Sequence, residues 1–60
     1  MIVLGREQAL LLATKILETD KKMETLWLEN RHQTITGTST TKDGDVLDQF
    51  TINPQGKEEE

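Results

Sequence analysis

The sequence predicts an α+β domain in which one long amphipathic helix is followed by a C-terminal antiparallel β-hairpin, with two copies dimerising through the helix. Three observations carry that expectation. Apolar residues crowd the first half, 15 of the 20 lying at or before Leu28. Those from Ala9 onward recur at helical spacing. The stretch QTITGTSTTKDGDVLDQFTI, residues 33–52, alternates around an Asp-Gly pair as two strands joined by a tight turn would. A second arrangement stays open, in which the helix stops near Asp20 and METLWLEN is a strand, giving a short helix on a three-stranded antiparallel meander.

The chain opens on Met1, Ile2, Val3 and Leu4, an apolar lead-in too short to assign by periodicity. Gly5 then offers an N-cap, Glu7 sits in the first turn where the helix dipole favours a carboxylate, and Gln8 takes the third helical position. At about 100° per residue, Ala9, Leu12, Ala13, Ile16, Leu17, Met23 and Trp27 share one arc, and Glu7, Thr14, Lys15, Glu18, Lys22 and Glu29 lie opposite. Glu18 and Lys22, four apart, add local support. Two residues break the pattern: Leu11 falls on the polar side and Asp20 falls inside the apolar arc. Because KKMETLWLENR is rich in helix formers and has neither Gly nor Pro, the helix is expected to run from Arg6 to about Asn30, roughly 37 Å.

With Asp43 and Gly44 at the centre of a type I′ turn, the hairpin pairs Thr41 with Val46, Ser39 with Asp48, Gly37 with Phe50 and Ile35 with Ile52. That register collects Ile35, Val46, Phe50 and Ile52 on one face, with Phe50 over Gly37, and Thr34, Thr36, Thr38, Thr40, Gln49 and Thr51 on the other. A slip of one residue would scatter the apolar set. Leu47 is the one misfit, placed among the threonines. Residues 1–53 make one domain, and Asn53-Pro54-Gln55-Gly56 ends the strand before a flexible acidic tail over 54–60.

Residue chemistry excludes more than it proposes. There is no cysteine, hence no disulfide or thiolate site, and one histidine cannot hold zinc alone. GTSTTKDG lacks the Gly-Lys-Ser/Thr entry into a helix that a phosphate loop requires. Asp43, Asp45 and Asp48 around Gly44 resemble the start of a calcium loop, but the closing glutamate position is Phe50. His32 and Ser39 are the only base and serine nucleophile of neutral-pH chemistry, and nothing in their spacing brings them together. No catalytic residue and no cofactor is expected. The row Thr34, Thr36, Thr38, Thr40 is either a hydrogen-bonding contact face or simply β-propensity on a solvent face.

Eleven acidic against seven basic residues give a formal charge of −4, which disfavours direct nucleic-acid binding and anionic membranes. No segment reaches the ~20 apolar residues that cross a bilayer, and the start lacks the regions of a signal peptide, so a cytoplasmic protein is expected. Sixty residues bury only roughly 60% of the unfolded surface, so self-association is the expected supplement to a small core. A helix longer than its hairpin leaves Met23, Leu26, Trp27 and Leu28 uncovered, and these, with Leu11 and Asp20, are the candidate interface. The expected function is non-catalytic: binding a protein partner and altering its activity. In size, acidity and lack of cysteine the chain is similar to the small anti-defence and host-takeover inhibitors carried by phages and mobile elements, a likeness of composition. A structural subunit of a larger assembly and a small-ligand or nucleotide sponge at a dimer seam are the alternatives.

Overall fold

The computed structural model describes residues 2–59; Met1 of the lead-in and Glu60 of the tail lie outside the described residues. One helix, α1 (Arg6–Thr19), precedes four strands, β1 (Thr25–Arg31), β2 (Thr34–Thr40), β3 (Val46–Ile52) and β4 (Glu58–Glu59). The strands form one antiparallel sheet in the order β1-β2-β3-β4, and α1 lies across one face, closest to β3. The α+β class stands, but the long helix does not.

α1 ends at Thr19, whose carbonyl accepts from the N–H of Lys22 (3.1 Å) and Met23 (2.9 Å), and Asp20 becomes the C-cap. Residues 25–31 instead alternate with period two, Leu26 and Leu28 toward the helix and Trp27 away from it, and pairing with β2 outweighs their helix propensity. At about 21 Å, α1 is no longer than a seven-residue strand of about 23 Å, so the reason for dimerising through an overlong helix is gone.

The type I′ turn is present, but between β1 and β2. Arg31 opposes Thr34, and the two loop residues, His32 (φ 49°) and Gln33 (φ 66°), both hold positive φ. Of Asp43 and Gly44 only Gly44 does (φ 89°), because that loop has three residues. Gly44 N–H donates to the Thr41 carbonyl (3.0 Å) and Thr41 N–H to the Asp45 carbonyl (2.9 Å), a type I turn closed by a glycine bulge. The Thr41 hydroxyl accepts from the N–H of Asp43 and Asp45.

The expected pairs Ile35–Ile52, Gly37–Phe50 and Ser39–Asp48 hold, whereas Thr40 opposes Val46. Leu47 is therefore an extra, bulged residue. The bulge moves Leu47 to half-buried surroundings near Leu17 and puts Val46 on the far face, exposed.

The stretch expected as a free tail repeats the same turn. Asn53 N–H donates to the Lys57 carbonyl and Gly56 N–H to the Asn53 carbonyl (both 2.9 Å), while Asn53 Oδ1 accepts from the N–H of Gln55 and Lys57 (both 3.0 Å). TKDGD and NPQGK thus share one design: a side-chain acceptor first, a glycine at positive φ fourth. Gly56 (φ 83°) also packs on the first helical turn, where a Cβ would run into Glu7. β4 follows, Glu58 opposite Ile52 and Glu59 opposite Thr51.

The core is Leu12, Ile35, Phe50 and Ile52, ringed by Leu4, Leu11, Ile16, Leu26 and Leu28. Phe50 does lie over Gly37, its ring filling the space a Cβ would take. The helix is turned by about 100°, one residue, from the expected arc. Gln8, Leu11, Leu12, Lys15 and Ile16 lie toward the sheet, and Leu10 (51%) and Leu17 (73%) are exposed. The cause is polar: Gln8 and Lys15 have partners on the sheet and draw their side of the helix inward.

Because Gln33 occupies a left-handed conformation that a glycine adopts without strain, Gln33→Gly is expected to raise stability by about 1 kcal/mol. Urea unfolding midpoints measure it. A loss of stability would count against the type I′ turn.

Candidate interaction surface

Strand alternation sorts the sheet into two unlike faces. The covered face carries Leu26 and Leu28 of β1, Ile35, Gly37 and Ser39 of β2, and Asp48, Phe50 and Ile52 of β3. The open face carries Thr25, Trp27, Glu29 and Arg31, then Thr34, Thr36, Thr38 and Thr40, then Val46, Gln49 and Thr51. Cross-strand pairing arranges these as rows: Thr25, Thr40, Val46; Trp27, Thr38, Gln49; Glu29, Thr36, Thr51, Glu59. The threonine row expected on β2 is there, and β1, the strand of the alternative three-stranded arrangement, sets Trp27 beside it.

Trp27 is 64% exposed. Its neighbours are β-branched threonines whose side chains are stiff at χ1, so the surface around the indole loses little freedom on contact. Glu29 and Arg31 pair at 2.6 Å on the rim, a fully wet ion pair that orients more than it stabilises. Where β4 stops short, a depression of ≈ 410 Å³ is lined by Thr36, Thr38, Gln49, Phe50, Thr51, Glu58 and Glu59.

The other candidate residues do not gather on one surface. Leu11, Leu26 and Leu28 are half-buried against the molecule's own core, on the side of the sheet opposite Trp27. Asp20 is exposed at the helix end, beside a cleft of ≈ 500 Å³ lined by Leu17, Glu18, Lys21, Lys22 and Leu47, and Met23 is half-buried in the link to β1. Asp43 and Gly44 are at the exposed hairpin tip.

His32 is exposed in the first turn, and Ser39 is 2% exposed on the covered face, seven residues or about 23 Å along the strand. The structure does not bring base and hydroxyl together. Ser39 Oγ has no hydrogen-bond partner. Asp48 turns away from the tip aspartates toward Lys15, and no group of three or more metal-ligating side chains forms among the described residues.

Two polar contacts hold the helix to the sheet and so keep the far face open. Gln8, 5% exposed, accepts from Gly5 N–H at Oε1 (3.0 Å) and donates from Nε2 to the carbonyls of Gln33 (2.6 Å) and Asn53 (3.1 Å). Its one amide caps the helix, anchors the first turn and anchors the last. Lys15 Nζ reaches over the Phe50 ring (5.9 Å from its centroid) to Glu58 (2.6 Å), with Asp48 at 4.0 Å. The hydrogen bond to Glu58 leads in raising the Lys15 pKa above its usual 10.5, with the charges of Glu58, Asp48 and Glu18 adding to it and burial opposing.

Gln8→Glu keeps the acceptor for Gly5 but cannot donate to two carbonyls, so it should cost about 2 kcal/mol or more, and Gln8→Leu more still. Denaturant unfolding is the measurement, and a Gln8→Glu protein as stable as the parent would refute the contact. For Lys15, a folded pKa raised above the unfolded one gives stability present below pH 10.5 and lost as pH rises through the higher folded value. The unfolding midpoint of the parent should therefore fall more steeply with alkaline pH than that of Lys15→Met, and parallel pH profiles would exclude the linkage. No helix among the described residues is long and apolar enough to cross a membrane. No protein-family model, no curated protein and no solved structure matches the chain significantly, so its function is read from these residues alone.

Proposed function

We propose that this chain is a non-catalytic binding module that docks its open sheet face on a protein partner and alters that partner's activity. It acts as an inhibitor or adaptor in the cytoplasm, of the kind carried by phages and mobile elements, and as a homodimer. The observation that supports this reading is Trp27, a large aromatic residue 64% exposed on the edge strand beside the threonine rows, when four hydrophobic side chains among the described residues are buried. Tryptophan is over-represented among the residues that dominate binding energy, where its apolar body is desolvated and its indole N–H finds an acceptor. Threonine and glutamine around it offer hydrogen bonds without a buried charge.

The test substitutes Trp27→Thr, which preserves β-propensity on a solvent face. Stability should change by less than about 0.5 kcal/mol. Proteins that the parent chain captures from the producing cell should fall at least roughly tenfold in recovery. An unfolded Trp27→Thr protein would make Trp27 a structural residue, and undiminished capture would place the contact elsewhere.

A further inference from the structure

We infer that β1 is an interface strand that pairs antiparallel, about a two-fold axis, with β1 of a second copy. Among the described residues β1 has β2 on one side and no strand on the other. Exposed strand edges template aggregation unless blocked by charge, proline, a bulge or shortness, and the other open edges here are blocked. β4 is two residues long and both are glutamates; the part of β3 that β4 leaves uncovered holds the Leu47 bulge and Asp48. β1 has neither proline, bulge nor shortness, and its two charges, Glu29 and Arg31, lie at its turn end and neutralise each other as an ion pair. It pairs with β2 over seven consecutive residues without a register shift, contains neither Lys, Pro nor Gly, and is apolar through Leu26, Trp27 and Leu28.

Its free groups follow from the turn. In a two-residue hairpin the pair flanking the loop, Arg31 and Thr34, exchanges both hydrogen bonds, so Leu26, Leu28 and Asn30 point N–H and C=O outward. With Leu28 on the two-fold axis, Leu26 faces Asn30 of the second copy, and about six backbone hydrogen bonds close. Leu28 then meets Leu28 on the helix side, extending the small core across the seam. On the open side Trp27 lies opposite Glu29 and diagonal to Arg31 of the second copy, and no like charges stand directly opposed. Slipping the pairing by two residues one way sets Leu28 against Asn30 and Glu29 against Glu29 of the second copy, and the other way sets Leu28 against Leu26 with Trp27 opposite Trp27.

Surface area favours a second copy as the occupant. The chain exposes 4614 Å², against about 3,950 Å² expected for a folded monomer of its mass. The excess of roughly 650 Å² per chain, doubled, falls within the range of stable interfaces. The pairing also deepens the proposed function, and rests on that reading only for its purpose. It joins two open faces into one side of an eight-stranded sheet, twice the four strands of one chain, with both Trp27 side chains near its middle.

The test uses the isolated full chain: sedimentation equilibrium across a hundredfold dilution, with amide hydrogen exchange at each end. A dimer is expected at high concentration, with the Leu26, Leu28 and Asn30 amides protected there and exposed on dilution. Asn30→Pro removes an outward donor and should weaken association at least tenfold while keeping the parent circular dichroism; should it fail to fold, the parent's exchange pattern decides. A chain that is monomeric throughout, a dimer in which those three amides exchange freely, or an Asn30→Pro dimer as tight as the parent would each overturn the pairing. A monomer that still captures a partner through Trp27 overturns the pairing alone. A dimer that captures nothing overturns the face reading alone.

Discussion

The side-chain amide of Gln8 is the contact on which the rest of the arrangement depends. It joins three places that are distant in sequence, the helix start at Gly5, the first turn at Gln33 and the end of β3 at Asn53. If the helix were turned to bury Ala9 and Leu17 instead, the Gln33 carbonyl would lose this donor and the Asn53 carbonyl would keep only Gly56 N–H. Gln8 therefore sets the rotation of α1. That rotation puts Lys15 over Phe50 and within reach of Glu58, which ties β4 to the helix. The helix covers one face from Gln8 to Thr19, and no element among the described residues covers the other.

Such polar fastening matters because apolar burial is thin. Leu12, Ile35, Phe50 and Ile52 are the fully buried hydrophobic residues, and one of them needs a glycine opposite to fit. A 60-residue chain with so few anchors gains much from well-formed turns. Thr41 and Asn53 each accept two backbone N–H groups at the head of a loop and leave little of its backbone unsatisfied. Ser39 goes the other way, a buried hydroxyl without a partner beneath the sheet.

What the sequence made legible is what period and turn chemistry encode locally. The pairing of Ile35 with Ile52 and Gly37 with Phe50, the threonine face, the positive φ of Gly44 and the Gly5 cap could all be read from spacing. β1 was legible only as the alternative, METLWLEN as a strand after a helix ending near Asp20, because its turn is built from His32 and Gln33, which carry none of the Gly or Asn signal of a type I′ loop, and because TLWLEN suits a helix nearly as well as a strand. The helix face was misplaced since periodicity counts only apolar residues, and here the inward stripe contains Gln8 and Lys15. The Leu47 bulge had one trace, an apolar residue out of phase with its strand. Trp27 was picked out for its chemistry, but its place beside the threonines belongs to the alternative arrangement in which METLWLEN is a strand.

These features leave an open sheet face and an edge strand, β1, that carries the exposed Trp27 into that face. Both exist only because α1 is held to the opposite face by Gln8. The most direct test is nuclear magnetic resonance of that side chain in the intact protein. Scalar couplings across hydrogen bonds from Gln8 Nε2 to the carbonyl carbons of Gln33 and Asn53 should be observable, with both amide protons slow to exchange with water. A Gln8 side-chain amide that exchanges freely and shows neither coupling would contradict the account.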